Sequence, residues 1–73
     1  MAELTVPLIS TNVAGVSDYD ESNVEFTVFF VNGGEYLISG APRSVYDGLI
    51  AAPSPGRYYN QSIRDAYSIE RIS

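Results

Sequence analysis

The sequence predicts an α+β domain, with a small antiparallel sheet of three to four strands and two short helices packed on one face. The run Val24–Val31 alternates apolar residues as a strand does. The next residues, Asn32–Gly34, are typical of a tight hairpin because Asn and Gly tolerate positive φ. Two amphipathic segments then begin near Pro42 and Pro55. We expect one domain spanning residues 1–73.

Four segments fit strands in this sheet. Asn12–Tyr19 ends in an acidic turn at Asp18–Asn23, and Glu35–Ser39 returns from the hairpin. Ser68–Ile72 alternates imperfectly and is consistent with either a short final strand or an irregular tail. One face of the central run is predicted to be apolar, and its residues are Val24, Phe26, Val28 and Phe30.

The first helix is predicted to begin with Pro42 as its first helical residue and to end at Pro53. Val45, Leu49 and Ala52 recur at helical spacing and should face the sheet. An interior glycine costs a helix about 1 kcal/mol relative to alanine. Gly48 therefore predicts a close approach by the sheet or by another helix.

The second helix is predicted to have Ser54 as its N-cap and Pro55 as its first helical residue. Tyr59, Ile63 and Ala66 follow at i, i+4 and i+7 and should enter the core. The remaining polar residues of this helix would then lie on a different face.

Composition excludes most catalytic and metal chemistry. The chain has no cysteine, histidine or lysine, the residue types that supply most general bases, nucleophiles and transition-metal ligands. Asp18, Asp20 and Glu21 would suit a paired-carboxylate or hard-metal site, but without a calcium-loop spacing they are more typical of a solvated turn. We expect no enzyme, no catalytic residue, no metal and no cofactor. A core this small is often supported by partner subunits, so a homo-oligomer is expected.

The formal net charge of −5 is unevenly distributed. Residues 1–35 contain six acidic and no basic residues, whereas residues 36–73 contain all four arginines and three acids. A binder of long nucleic acid normally carries a basic stripe and a high pI, so that class is disfavoured. We find no signal peptide and no apolar run that would span a membrane, and we expect a cytoplasmic protein.

A series of short motifs in a fixed order resembles the KTSC domain, a module found at the C-terminus of some lysyl-tRNA synthetases and alone in bacteria and phages. The resemblance spans Ser10 to Ile72. It departs at the family's Tyr-x-Tyr, where Tyr36 is kept but Ile38 occupies the position of the second tyrosine. The residues that carry it are Ser10-Thr11-Asn12-Val13, Tyr19-Asp20, Pro42, Val45, Tyr46, Ala52, Ser54, Gly56, Tyr58, Asn60, Ile63, Arg64 and Tyr67.

The candidate binding residues cluster on the second helix. Arginine offers a planar fork that matches phosphate, Asn and Gln can read a base edge, and tyrosine can stack on a ring. The alternative is structural, with Asn60 capping a loop and Arg64 paired to a nearby acid. Tyr36 and Tyr46 are also expected to fill volume with wet hydroxyls. The candidates are Arg57, Tyr58, Asn60, Gln61, Arg64 and Tyr67, with Arg43 and Tyr36 from elsewhere in the chain.

Three functions remain open. The first is a non-enzymatic, oligomeric protein that binds or sequesters a nucleotide-like, phosphate-bearing small molecule, for example as a phage sponge against host defence. The second is an RNA-binding module, a role suggested for the family that the resemblance names. The third is a protein-interaction scaffold that docks partners through Phe29 and Val31.

Overall fold

The computed structural model describes residues 3–73 as one α+β unit, with helices on one face of a sheet. Its five strands are antiparallel and follow one another in chain order as a meander. Their bounds are β1 Val6–Pro7, β2 Val13–Val16, β3 Glu25–Phe30, β4 Glu35–Ser39 and β5 Ser68–Arg71.

The predicted hairpin joins β3 to β4. Gly33 has a φ of 99°, which glycine adopts without steric cost. The Phe30 amide donates to the Gly34 carbonyl, and the Asn32 side-chain oxygen accepts the Gly34 amide at 3.0 Å. The turn sets the register in which Phe26 lies opposite Ile38.

Residues 3–73 form five strands, where three to four were expected. The missed strand, β1, has only two residues and contains Pro7, so it lacks the alternation by which a strand is recognised. It pairs with β2 through Val6 and Val16. The C-terminal segment, for which a strand and an irregular tail were both consistent, forms β5 against β4.

The predicted ends of the central strand were too wide. Val24 does not continue the apolar face, because it has a φ of 55° and lies exposed in the turn before β3. Val31 lies in the turn after β3 and is also exposed. Phe26 and Val28 are buried as predicted.

The helical layer begins with α1, Arg43–Ala51, and continues with α2, Pro55–Tyr58. Pro42 is the N-cap of α1 rather than its first helical residue. The next residues, Tyr59–Ile63, form a π-helical turn that extends α2.

The core lies between the helical layer and the sheet. Leu49 and Ile63 are fully buried there, whereas Ala66, predicted to join them, is exposed because the helix has ended in a turn. The buried apolar residues are Val13, Val16, Phe26, Val28, Ile38, Ala41, Tyr46, Leu49, Tyr59 and Ile63.

Two tyrosine hydroxyls tie the first half of the chain to the start of α1. The Tyr46 hydroxyl donates to the Ser17 carbonyl at 2.8 Å, and the Tyr19 hydroxyl donates to the Ala41 carbonyl at 2.7 Å. Tyr46 is 4% exposed, so its hydroxyl is a buried donor and not the wet group that was expected. Phe26 packs against the Tyr46 ring in an edge-to-face pair.

No helix among the residues the structure describes is both long enough and apolar enough to cross a bilayer.

Candidate functional site

A groove of about 440 Å³ opens between the hairpin end of the sheet and the π-helical turn. We call it the tyrosine groove because two tyrosines line it. Aromatic and aliphatic side chains line it together with one guanidinium and one amide. Its residues are Phe30, Asn32, Tyr36, Tyr59, Arg64 and Ile69.

Phe30 holds the two tyrosine rings of the groove in place. Its ring is perpendicular to that of Tyr36, with centroids 5.3 Å apart, and at 81° to that of Tyr59, with centroids 5.0 Å apart. Edge-to-face pairs of this kind are each worth about 0.5–1.5 kcal/mol beyond the area they bury. The rings are therefore braced before any ligand arrives.

Three side chains with polar ends, those of Tyr36, Tyr59 and Arg64, line this groove. Burial raises the pKa of the Tyr59 hydroxyl, the nearby Tyr36 raises it further, and the positive charge of Arg64 lowers it. Both neighbours affect Tyr59 electrostatically because they share the groove. A ligand entering there would contact the three residues Tyr36, Tyr59 and Arg64.

Arg64, which lines this groove, is weakly engaged, whereas Arg71 beside it donates a hydrogen bond to the Ser73 carbonyl at 3.1 Å. The Arg64 guanidinium lies 3.8 Å from the Asp65 carboxylate, and both side chains are more than half exposed. Exposed pairs of this kind contribute about 0–1 kcal/mol, so an anion can compete for the arginine. The Arg71 guanidinium carbon lies 5.8 Å from the centre of the Tyr36 ring, a position brought about by the pairing of β4 with β5.

A second groove, of about 320 Å³, adjoins the first and shares three of its residues: Phe30, Asn32 and Tyr59. We call it the amide groove because three asparagine side chains line it. They are Asn12, Asn32 and Asn60, and the remaining lining residues are Thr11, Phe30, Val31, Gly56 and Tyr59. A neutral amide-rich wall suits hydroxyl groups or the edge of a base better than a charge.

The π-helical turn positions the helical side of both grooves. The Arg64 amide donates to the Tyr59 carbonyl at 2.9 Å, the wide spacing of a π-helix. Single π-helical turns inside α-helices occur frequently at functional sites. Here the turn buries Tyr59 and Ile63 while Asn60 and Arg64 remain at the surface.

The structure divides the predicted binding face of the second helix. Asn60 lines the amide groove and Arg64 lines the tyrosine groove, where Tyr36 joins it. Arg57, Tyr58 and Gln61 line a separate groove beside the residues that link α1 to α2, and Tyr67 is half-buried against the core.

Arg43 lies at the start of α1, away from both grooves, and is occupied. Its guanidinium lies 3.3 Å from Glu21 and 3.7 Å from Asp47, and 5.9 Å from the ring centres of Tyr19 and Tyr46. An anion would have to displace these contacts.

Sequence reasoning did not single out Phe30, Asn12, Asn32 or Arg71 as site residues. Asn32 was already explained as a residue of the hairpin turn, and Phe30 as a residue of the apolar strand face. Arg71 reaches Tyr36 only because β5 pairs with β4, a long-range contact that local pattern does not reveal. Within residues 3–73, no three acidic side chains are close enough together to hold a metal ion.

The KTSC domain family model matches residues 9–67. The chain belongs to the KTSC domain family. The crystal structure of a KTSC domain protein from Yersinia pestis superposes on the whole chain with a TM-score of 0.87 at 22% identity, and each chain is covered over 100% of its length. At that identity the likeness establishes the fold. No curated protein matches the chain.

The departure of this KTSC domain from the Tyr-x-Tyr pattern falls in the core. Ile38 is fully buried beneath the helical layer, whereas Tyr36 lies at the tyrosine groove. The change to isoleucine therefore removes no surface ring.

Proposed function

We propose that this KTSC domain is a binding module without catalytic activity, which captures a nucleotide-like ligand carrying a planar ring and a phosphate. The proposal rests on the convergence of Tyr36, Tyr59 and Arg64 in one groove. Aromatic walls suit a planar ring, and a guanidinium suits a phosphate because its planar fork can donate two hydrogen bonds to one anion.

The adjoining amide groove supports a ligand larger than a phosphate alone. Asn60 and Asn12 provide amide donors and acceptors in the amide groove. This groove lies beside the ring-binding walls of the tyrosine groove, because Tyr59 lines both. A sugar or the edge of a base would make neutral hydrogen bonds there. Binding without chemical conversion would sequester the ligand, which is the activity expected of a sponge protein.

The first experiment is native mass spectrometry of the protein with a panel of mono-, di- and cyclic nucleotides. An integral number of nucleotides per protein, retained at physiological salt, is the expected result. The same spectra report whether the protein is the homo-oligomer that its small core favours.

Arg64→Gln and Arg57→Gln form a matched pair for calorimetric titration of the nucleotide that binds. Both variants remove one exposed positive charge from the second helix, but only Arg64 lines the tyrosine groove. Arg64→Gln should weaken binding by about tenfold or more, since hydrogen bonds to charged groups are worth about 1.5–3 kcal/mol. Arg57→Gln should retain affinity.

Two results would contradict the proposal. Equal losses in the two arginine variants would indicate a general charge effect rather than a site. A short RNA that binds more tightly than every nucleotide, with an affinity that falls steeply with salt, would favour the RNA-binding alternative.

A further inference from the structure

The sheet face opposite the helices carries a groove that plays no part in the proposed nucleotide site. Side chains of a strand alternate between the two faces, so Thr27 and Leu37 point away from the buried Phe26 and Ile38. A cavity of about 670 Å³ opens on this side, and we call it the acidic groove because four carboxylates line it.

The four carboxylates are Glu3, Asp18, Asp20 and Glu25. No arginine lines the acidic groove, and none of these four forms a salt bridge within residues 3–73. Hydrogen bonds from the Asn23 side chain and from the Asn23 and Ser22 amides lower the pKa of Asp20, which keeps it ionised. Among residues 3–73, the groove therefore concentrates negative charge that no salt bridge compensates.

The acids are spread along the groove instead of meeting at a point. In the part of the chain that the structure describes, no three of them approach closely enough to coordinate one metal ion. A ligand that satisfies them must carry several positive charges at separate positions.

The wall between the acids is partly apolar, with Leu37 and the 42%-exposed Ile72. It also holds an unused hydroxyl. Thr27 is only 2% exposed, lines the groove, and its hydroxyl makes no hydrogen bond within residues 3–73. No fully buried polar side-chain atom among the described residues lacks a hydrogen-bond partner, so the Thr27 hydroxyl keeps some contact with solvent at the groove that Thr27 lines.

We propose that the acidic groove binds a linear aliphatic polyamine, a chain of methylenes that separates several ammonium groups. The ammonium groups would lie at the carboxylates, and one would donate to the Thr27 hydroxyl. The methylenes would cover Leu37 and Ile72. A polyamine matches both the spread of the charges and the apolar wall between them, which a metal ion does not.

The test is an NMR titration of the backbone amides with spermine at physiological ionic strength, with magnesium chloride as a control for nonspecific screening. Spermine should produce saturable shifts at Thr27, Leu37 and Ile72, with one molecule bound. Shifts that match those caused by magnesium, or that spread evenly over the protein surface, would overturn the proposal.

Two double variants distinguish binding at the acidic groove from a general effect of the protein's net charge. Asp18→Asn with Glu25→Gln neutralises two groove carboxylates, whereas Asp47→Asn with Asp65→Asn removes the same charge from the helical layer. The first pair should weaken spermine binding by about tenfold and the second by less than about twofold, as expected for exposed ion pairs. Equal effects in the two pairs would overturn the site.

Thr27→Val provides a variant that keeps all four carboxylates and changes the side-chain shape little. It should weaken spermine binding several-fold, and wild-type affinity in this variant would remove the hydroxyl that the proposal requires. Tetralysine carries comparable charge on a polypeptide. Tighter binding of tetralysine than of spermine would overturn the assignment to a small-molecule polyamine.

Discussion

The hydroxyl of Tyr58 lies where a β-carbon on Gly48 would stand. Gly48 is an interior residue of α1 and Tyr58 is the last residue of α2, so the contact joins the two helices of the layer. This is the close approach that the interior glycine predicted. Gly48 costs its own helix stability, but it leaves room for the neighbouring ring, which occupies the space of a side chain.

Gly48→Ala should destabilise the domain, although alanine favours a helix over glycine by about 1 kcal/mol. The half-buried Tyr58 ring would have to move away from α1, and overpacking of this kind costs about 1–3 kcal/mol. Chemical denaturation of the variant measures the net loss.

The same substitution should become stabilising when the ring is shortened. In a Tyr58→Leu background, Gly48→Ala should add about 1 kcal/mol because only the helix propensity remains. The double-mutant cycle isolates the contact. Equal effects of Gly48→Ala in the two backgrounds would show that Tyr58 is not the cause.

Tyr46→Phe should cost about 1–2 kcal/mol, because it leaves the Ser17 carbonyl without its hydroxyl donor. Tyr67→Phe is the matched control, since the Tyr67 hydroxyl makes no hydrogen bond within residues 3–73. Its stability should remain within about 0.5 kcal/mol of wild type. Urea midpoints of the two variants compare them, and a similar loss in both would argue against the buried bond.

Stability should fall in alkaline solution. Burial, followed by the negative charge of Asp18, raises the pKa of Tyr46, and burial also raises the pKa of Tyr59. As the pH rises above about 10, these tyrosines lose their protons in the unfolded chain before they lose them in the folded protein. The stability that is present below that pH is therefore lost as the pH rises through the folded-state pKa. Tyr46→Phe should flatten this decline in a series of urea titrations, and an unchanged slope would exclude Tyr46 as a source.

Val24→Gly should stabilise the domain by about 0.5–1 kcal/mol. Val24 has a φ of 55°, where a β-branched residue is strained by about 1–2 kcal/mol, and the gain is reduced by the flexibility of glycine in the unfolded chain. Val31→Gly is the control, because Val31 is also exposed and has no positive φ. In thermal unfolding, Val24→Gly should raise the melting temperature and Val31→Gly should lower it. A loss of stability in Val24→Gly would contradict the strain at Val24.

Local pattern was sufficient for several elements of the fold. The alternation of β3, the Asn-Gly turn at Gly33 and the proline starts of both helices are set by residues that are adjacent in the chain. The pattern was not sufficient for β1, whose two residues become a strand only by pairing with β2. The pattern also predicted Ala66 in the core, which was wrong, because helical periodicity does not reveal where the helix ends.

By itself the sequence determined the α+β class and the family, since these depend on residue types and their spacing along the chain. The tertiary structure decided which of those residues meet. Helical spacing gave Arg57 and Arg64 one face, but the different neighbours around them assign them to separate grooves. Arg71 lies over the Tyr36 ring only because β5 pairs with β4. Arg64 shares a groove with Tyr36 only because the π-helical turn packs beside the sheet. Both arrangements join residues that are far apart in the sequence.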